Sequence, residues 1–262
     1  MKIREIVEHL ESLAPLAYQE TYDNSGMISG DPSLECTGVL VSLDCTEETV
    51  REAVEKKCNL LVSHHPLIFQ PLRQIIPGTG QGRALLASIK QDIALYAIHT
   101  NLDNILGGVN ASIADRIGLV NREILLAQSA ANPSVGSGMA GDLIEPLSET
   151  ELLRRLRELF SIPVIRHSPL RGKTVTRVGI CGGAGGFLIS NALQANCDFF
   201  ISADIRYHQF FETEGKMVVA DIGHYESEQF TIDLLYRVIL EKFPNFAVLK
   251  SGTVTNPVHY YI

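Results

Sequence analysis

Three places in this 262-residue chain combine side chains able to hold a metal ion or move a proton. His64 and His65 stand side by side before Pro66, at the end of the apolar run 59–63. His99 follows the apolar run 93–98 and precedes Asp103 by four residues. His224 and Glu228, also four apart, follow the apolar run 217–221. At i and i+4 an imidazole and a carboxylate share one helical face, about 5–6 Å apart at Cβ. Glu226 lies off that face and reads as a solvated acid of the first turn. The chain has only eight histidines, so three strand ends furnished with His, Asp or Glu form an unusual concentration. The donor set His64, His65, Asp103, His224 and Glu228 contains no thiolate, which suits zinc, manganese or iron. Five ligands exceed a single tetrahedral zinc. They fit two divalent ions sharing a carboxylate, with Glu228 as the bridging candidate. Two such ions outweigh two carboxylates in charge, so the centre would stay positive, draw an anionic or polarised substrate and acidify a water.

Other residues have two readings each. His99, with an ordinary pKa near 6.5, is either an acid/base group or a hydrogen-bonded histidine that fixes its loop. Asp23 and Asn24, in a turn-like run before Gly26, either line a pocket or cap backbone. Tyr207 and His208 either touch substrate or pack. The run Gly182-Gly-Ala-Gly-Gly186, between a strand and a helix, has the position of a phosphate cradle. It lacks the Lys-Ser/Thr of a P-loop and a complete G-x-G-x-x-G, which favours a tight turn.

The elements that position these groups show an internal repeat. The segment 41–63 recurs at 180–202 without a gap, with Ala53/Ala192, Cys58/Cys197 and Ser63/Ser202 all 139 positions apart (58 to 197, 63 to 202). Each copy reads as strand, helix and buried strand, which implies parallel pairing through a crossover. Helices are expected near 2–14, 46–57, 80–91, 108–118, 148–160, 186–196 and 226–243, and strands at 37–43, 59–63, 93–98, 176–181, 198–202 and 217–221. Segments 246–250 and 258–262 have the character of edge strands. The fold class is α/β, with two similar, duplicated α/β domains built on mixed, largely parallel sheets and helices packed outside. The first domain is expected over 1–127, completed by 225–262, and the second over 128–224. The Gly/Pro/Ser-rich stretch 128–138 reads as the loop joining them.

Composition narrows the class. With 45% apolar and 20% charged residues the chain is globular rather than disordered. Its net charge of −8 disfavours non-specific nucleic-acid binding. No apolar run reaches the ~20 residues of a membrane span, and acidic residues interrupt the N-terminal apolar positions, unlike a signal peptide. The five scattered cysteines form no C-x-x-C pair, so reduced, packed thiols in a cytoplasmic protein are expected.

Taken in order, Tyr22-Asp-Asn-Ser-Gly-Met27, Ser63-His-His-Pro66, His99 with Leu102-Asp103, the Gly182–Gly186 run, Gly223-His224 with Glu228, and Thr255-Asn-Pro257 resemble a known family. It is the dinuclear-metal-centre family of type 2 homologues of GTP cyclohydrolase I, also called the NGG-interacting-factor-three family. The resemblance spans nearly the whole chain. It implies metal ligands at His64, His65, Asp103, His224 and Glu228, the set already reached from spacing. It also implies two divalent ions per subunit, a toroidal homohexamer with metal sites facing an internal cavity, and no long insertion between the halves. Two functions follow from different classes. One is a metal-dependent hydrolase acting on a nucleotide or other small anionic substrate, with His99 as acid/base and Asn24, Tyr207 and His208 as substrate contacts. The other is a non-catalytic metal-binding scaffold, store or chaperone.

Overall fold

Apolar residues at positions 3, 6, 7 and 10 give α1 (Ile3–Leu13) one buried face, as the 3.6-residue period requires. In the computed structural model, which describes residues 1–261, α1 leads to the edge strand β1 (Gly26–Ser29) and then β2 (Val39–Ser42). Thr46 caps α2 (Glu47–Glu55), its hydroxyl accepting from the Thr49 amide. β3 (Leu60–Ser63), α3 (Gly80–Lys90) and β4 (Ala94–Ala97) follow, and β2, β3 and β4 are buried at every position. Strands covered on both faces read as continuous apolar runs, which is the signature of parallel pairing.

The chain then passes through the short helix α4 (Thr100–Asp103) and α5 (Val109–Ile117), which ends at left-handed Gly118. Next come the hairpin β5 (Leu119–Ser129) and β6 (Asn132–Ser148), α6 (Glu149–Leu159), the two-residue β7 (Arg166–His167) and β8 (Thr174–Ala184). The elements α7 (Ile189–Gln194), β9 (Phe199–Ala203), β10 (Val218–Asp221) and α8 (His224–Glu228) follow. Finally α9 (Thr231–Lys242) and β11 (Val248–Lys250) return to the first sheet.

Two units result. Met1–Leu102 with Thr231–Pro257 holds the sheet β1-β4-β3-β2-β11, parallel except for β1. Asp103–Phe230, with the residues from Val258, holds the mixed sheet β5-β6-β8-β9-β10-β7, in which β8, β9 and β10 are parallel. In the first, Val50, Ala53 and Leu85 of α2 and α3 pack on Leu40, Leu61 and Leu95. In the second, Leu188, Ile189 and Ala192 cover Phe200 and Val219. Truncating a fully buried core leucine such as Leu61 to Ala would cost about 2–5 kcal/mol.

The repeat extends to individual hydrogen bonds. Cys58 N donates to Ala53 O and Cys197 N to Ala192 O, each at 2.9 Å. The residues before the two cysteines, Lys57 and Asn196, both take left-handed φ, 58° and 56°. Both cysteines are buried packing residues, as expected.

Several segments differ from the sequence expectation: the helix expected near 226–243 is two, α8 and α9, and β1 and β5 are strands where none was expected. The stretch 128–138 is the tip and outgoing arm of the β5–β6 hairpin, so both of its strands fall in the second unit instead of being divided at 127/128. Gly136 is required there. It pairs with Ala127 at φ 157°, and a Cβ would overlap the Leu126 carbonyl oxygen. Residues 258–261 form no strand, and Ile262 lies outside the described residues, whereas 248–250 do add to β2 in parallel. No described helix is long and apolar enough to cross a membrane.

Glu52 on α2 secures the C-terminal return. Its carboxylate accepts from Ser251 Oγ, Gly252 N and Thr253 Oγ1 and pairs with Lys56 at 2.7 Å. Burial alone would raise its pKa, but these donors outweigh burial and lower it to about 2. A depressed carboxylate contributes its full stability above its unfolded pKa and loses it as pH falls through the folded one. Glu52→Gln is therefore expected to cost about 2 kcal/mol at pH 7. The gap from the parent chain should close as pH falls from about 4.5 toward 2. Urea unfolding of both proteins across this range checks it, and an equal gap at both ends contradicts it.

Candidate metal centre

In the first unit, β2, β3 and β4 end level, with Ser42 opposite Ser63 and Ser63 opposite Ala97. The residues just beyond carry the chemistry, at the carboxyl ends of parallel strands where open α/β sheets place ligands. The ladder continues through His64 N to Ser42 O and His65 N to Leu43 O, while the Ser63 hydroxyl donates to the His65 carbonyl. This turn brings both adjacent imidazoles to one side, with ring centroids 4.9 Å apart. His99, from the end of β4, joins them, its ring 5.1 Å from His64 and 5.4 Å from His65. One potential ligand atom from each of the three lies within 4.8 Å of the others.

The tautomers follow from the partners. His64 Nδ1 is 2.9 Å from the Ile98 carbonyl oxygen, which can only accept, so Nδ1 carries the hydrogen and Nε2 the lone pair. His65 Nδ1 is 2.7 Å from Asp44 Oδ1, and His99 Nδ1 is 2.8 Å from Asp23 Oδ1. Asp44 is itself held by the Thr255 hydroxyl on its other oxygen. Asp23 is buried and also accepts from Thr100 N, Asn24 N and Ser25 Oγ. Burial would raise the Asp23 pKa, but the bonds from His99, Thr100 and Asn24 prevail and hold the carboxyl well below the usual range. Asn24 Nδ2 donates to Ile68 O at 2.6 Å, tethering the loop after His65, and Phe69 of that loop meets His99 edge-on at 5.3 Å.

The second unit repeats the device. Asp204, at the end of β9 and 139 positions after His65 (65 to 204), lies 2.7 Å from His224 Nδ1. His224 Nε2 is 3.1 Å from Glu228 Oε2, on the shared face that the i, i+4 spacing implies. Glu226, expected to be solvated, is only 7% exposed, and Glu228 is buried too. The α8 helix packs against β8 and β9, so even its first-turn acid is covered. Asp103 ends α4, and its backbone carbonyl accepts from Asn110 Nδ2. Burial pushes the Cys181 thiol up, and the charges of Asp103 and Glu228 raise it further.

These residues fit a divalent ion. Donors bound at about 2.0–2.2 Å to one ion stand roughly 3–3.5 Å apart, and the His224–Glu228 separation is of that size. An imidazole whose Nδ1–H is given to a carboxylate or carbonyl has the support found behind metal-ligating histidines. Sequence reasoning did not assign Asp44, Asp204 or Thr255 to the site. Asp44 sits just beyond a strand end and Asp204 at the repeat position of His65, so the duplication contained that signal. Tyr207, weighed as a packed aromatic, is 73% exposed, with its ring 5.2 Å from that of His208.

The model of the family described as Duf34/NIF3 (NGG1p interacting factor 3) matches residues 1–257. A GTP cyclohydrolase 1 type 2 homolog from Clostridium perfringens is 31% identical over 229 residues, 87% of each chain. One from Lactococcus lactis is 31% identical over 266 residues, 99% of each chain. Among solved structures, a hypothetical protein of Staphylococcus aureus matches with a TM-score of 0.93 at 29% identity, over 100% of this chain and 99% of that one. A Bacillus cereus protein related to NIF3 has the same TM-score at 22% identity, over 100% and 99%, a likeness of fold.

Removing the support behind His65 tests this geometry. Asp44→Ala is expected to weaken zinc binding by about 10–100-fold with the fold retained. Thr255→Val should act in the same direction but less, because Asp44 keeps its bond to His65. Competition titration against a chromophoric chelator, with circular dichroism as the control, checks both; unaltered affinity in Asp44→Ala contradicts the arrangement.

Proposed function

The chain belongs to the Duf34/NIF3 family, and on that premise we propose that it holds two divalent ions and acts as a metal-dependent hydrolase on a nucleotide or other small anionic substrate. The proposed ligands are His64, His65, Asp103, His224 and Glu228, with Glu228 bridging. The observation that supports this reading is the shared state of the three proposed ligand imidazoles: each Nδ1 faces a protein oxygen, at 2.9, 2.7 and 2.7 Å, which leaves Nε2 as the nitrogen that would take an ion. Zinc, iron and manganese all suit such donors. When bound, the ions would polarise a substrate oxygen and lower the pKa of a water.

The chain's own groups have distinct tasks. Asp44, Asp204 and the Ile98 carbonyl fix the ligand rings. His99, oriented by Asp23, has a ring nitrogen within 4.8 Å of one each from His64 and His65 and is assigned the role of proton carrier in this reading. Exposed Tyr207 and neighbouring His208 contact substrate, whereas Asn24 acts by holding the loop after His65. We also propose assembly as a homohexamer, by analogy with the family.

Protein loaded anaerobically with zinc, iron or manganese and screened against nucleotides and phosphoesters tests the hydrolase. Turnover that stops with a chelator and returns with metal is expected. Metal-replete protein that converts neither class contradicts it and favours the scaffold or store. His99→Asn should keep its metal content while turnover falls about 10²–10⁴-fold; full activity removes His99 from the reaction, and lost metal makes it a ligand. Glu228→Gln should lower metal content with little change in fold. Light scattering that shows only monomer over a wide concentration range would contradict the hexamer.

A further inference from the structure

The run Gly182–Gly186 has the place of a phosphate cradle, yet its amides face inward. Gly182 N donates to Asn110 Oδ1, Gly183 N to Ser227 Oγ and Gly185 N to Ser202 Oγ, all within 3.0 Å. What the glycines lack is side chains, and each absence is filled by a neighbour. A Cβ on Gly185 would overlap the Ser202 hydroxyl, and one on Gly186 would meet the Gln209 amide at 2.5 Å. At Gly182 it would lie 3.0 Å from Val109 and 3.5 Å from Glu228 Cγ. At Gly183, where φ is +60°, it would overlap Glu228 Oε1 and stand 3.2 Å from both Glu228 Cδ and His224 Cε1.

We infer that Gly183, backed by Gly182, is a positioning residue: the missing side chain is the seat into which the Glu228 carboxylate is set, and it turns Oε2 toward His224 Nε2. The inference rests on the reading of Glu228 as a metal ligand for its functional meaning, and on the side-chain packing alone for its structural content. Glu228 is buried among Gly182, Gly183 and His224, so a methyl group at 183 leaves the carboxylate only a different rotamer. Aspartate at 228 is one methylene shorter and would withdraw the carboxylate from the added methyl.

The test is a double-mutant cycle on the full chain, read in two ways. Metal-free thermal melting compares Gly183→Ala with Gly215→Ala, a glycine at φ +68° with nothing within 4 Å of a Cβ. Gly183→Ala should lower Tm more than this control, and adding Glu228→Asp should return Tm to the control's level. Cobalt(II) titration, followed by visible absorption, should give about 10–100-fold weaker binding in Gly183→Ala. In the Glu228→Asp background the same glycine change should cost less than about threefold. If adding Glu228→Asp leaves Tm below the control and the glycine change still costs as much cobalt binding in that background, or Gly183→Ala behaves as Gly215→Ala in both, Gly183 is not the seat of Glu228. A parent chain that binds no cobalt would overturn the metal reading, while the melting cycle would still decide the role of Gly183.

Discussion

In each unit the Nδ1 hydrogen of every candidate histidine meets a protein oxygen, and the direction of its Nε2 depends on that pairing. A neutral imidazole has one donor and one acceptor nitrogen, so fixing the donor fixes the other. His64 uses the Ile98 carbonyl, His65 uses Asp44, His99 uses Asp23 and His224 uses Asp204. The three bonds to carboxylates are charge-assisted and roughly twice as strong as neutral ones. Asp23 shows the cost and its offset: a buried carboxylate would be expensive alone, but it collects donors from His99, Thr100, Asn24 and Ser25.

Within each unit, parallel strands explain why the groups at the strand ends arrive together. In such a sheet neighbouring strands end at the same edge, so the residue following each strand joins one cluster. The β2, β3 and β4 ends supply Asp44, His64 with His65, and His99; the β9 and β10 ends supply Asp204 and His224. The duplicated halves use the same positions with the residue types exchanged. The site after the second parallel strand is the imidazole His65 in one half and the carboxylate Asp204 in the other. The first half pairs its second strand's histidine with an acid from the preceding strand. In the second half Gly183 occupies the repeat position of Asp44, which makes room for Glu228.

Much of this was legible in the residues. The repeat, the parallel core, the His64-His65 pair and the His224–Glu228 face all rest on local spacing, and spacing survives folding. The hairpin at 119–148 was not legible, because its glycines and prolines have the composition of a linker. Gly136 is there for a close backbone approach that only pairing creates. Glu226 was misread because helical periodicity gives a face but not what covers it. Asp44 and Asp204 lie 21 and 20 residues from their histidines; such pairs become neighbours only through strand order.

Anomalous diffraction from crystals of the protein loaded with zinc, iron or manganese, recorded on either side of the metal's absorption edge, tests the central claim most directly. Two peaks per chain are expected, each about 2.0–2.2 Å from donors among His64, His65, Asp103, His224 and Glu228. A single peak, or peaks at other residues with these five side chains directed elsewhere, would contradict it.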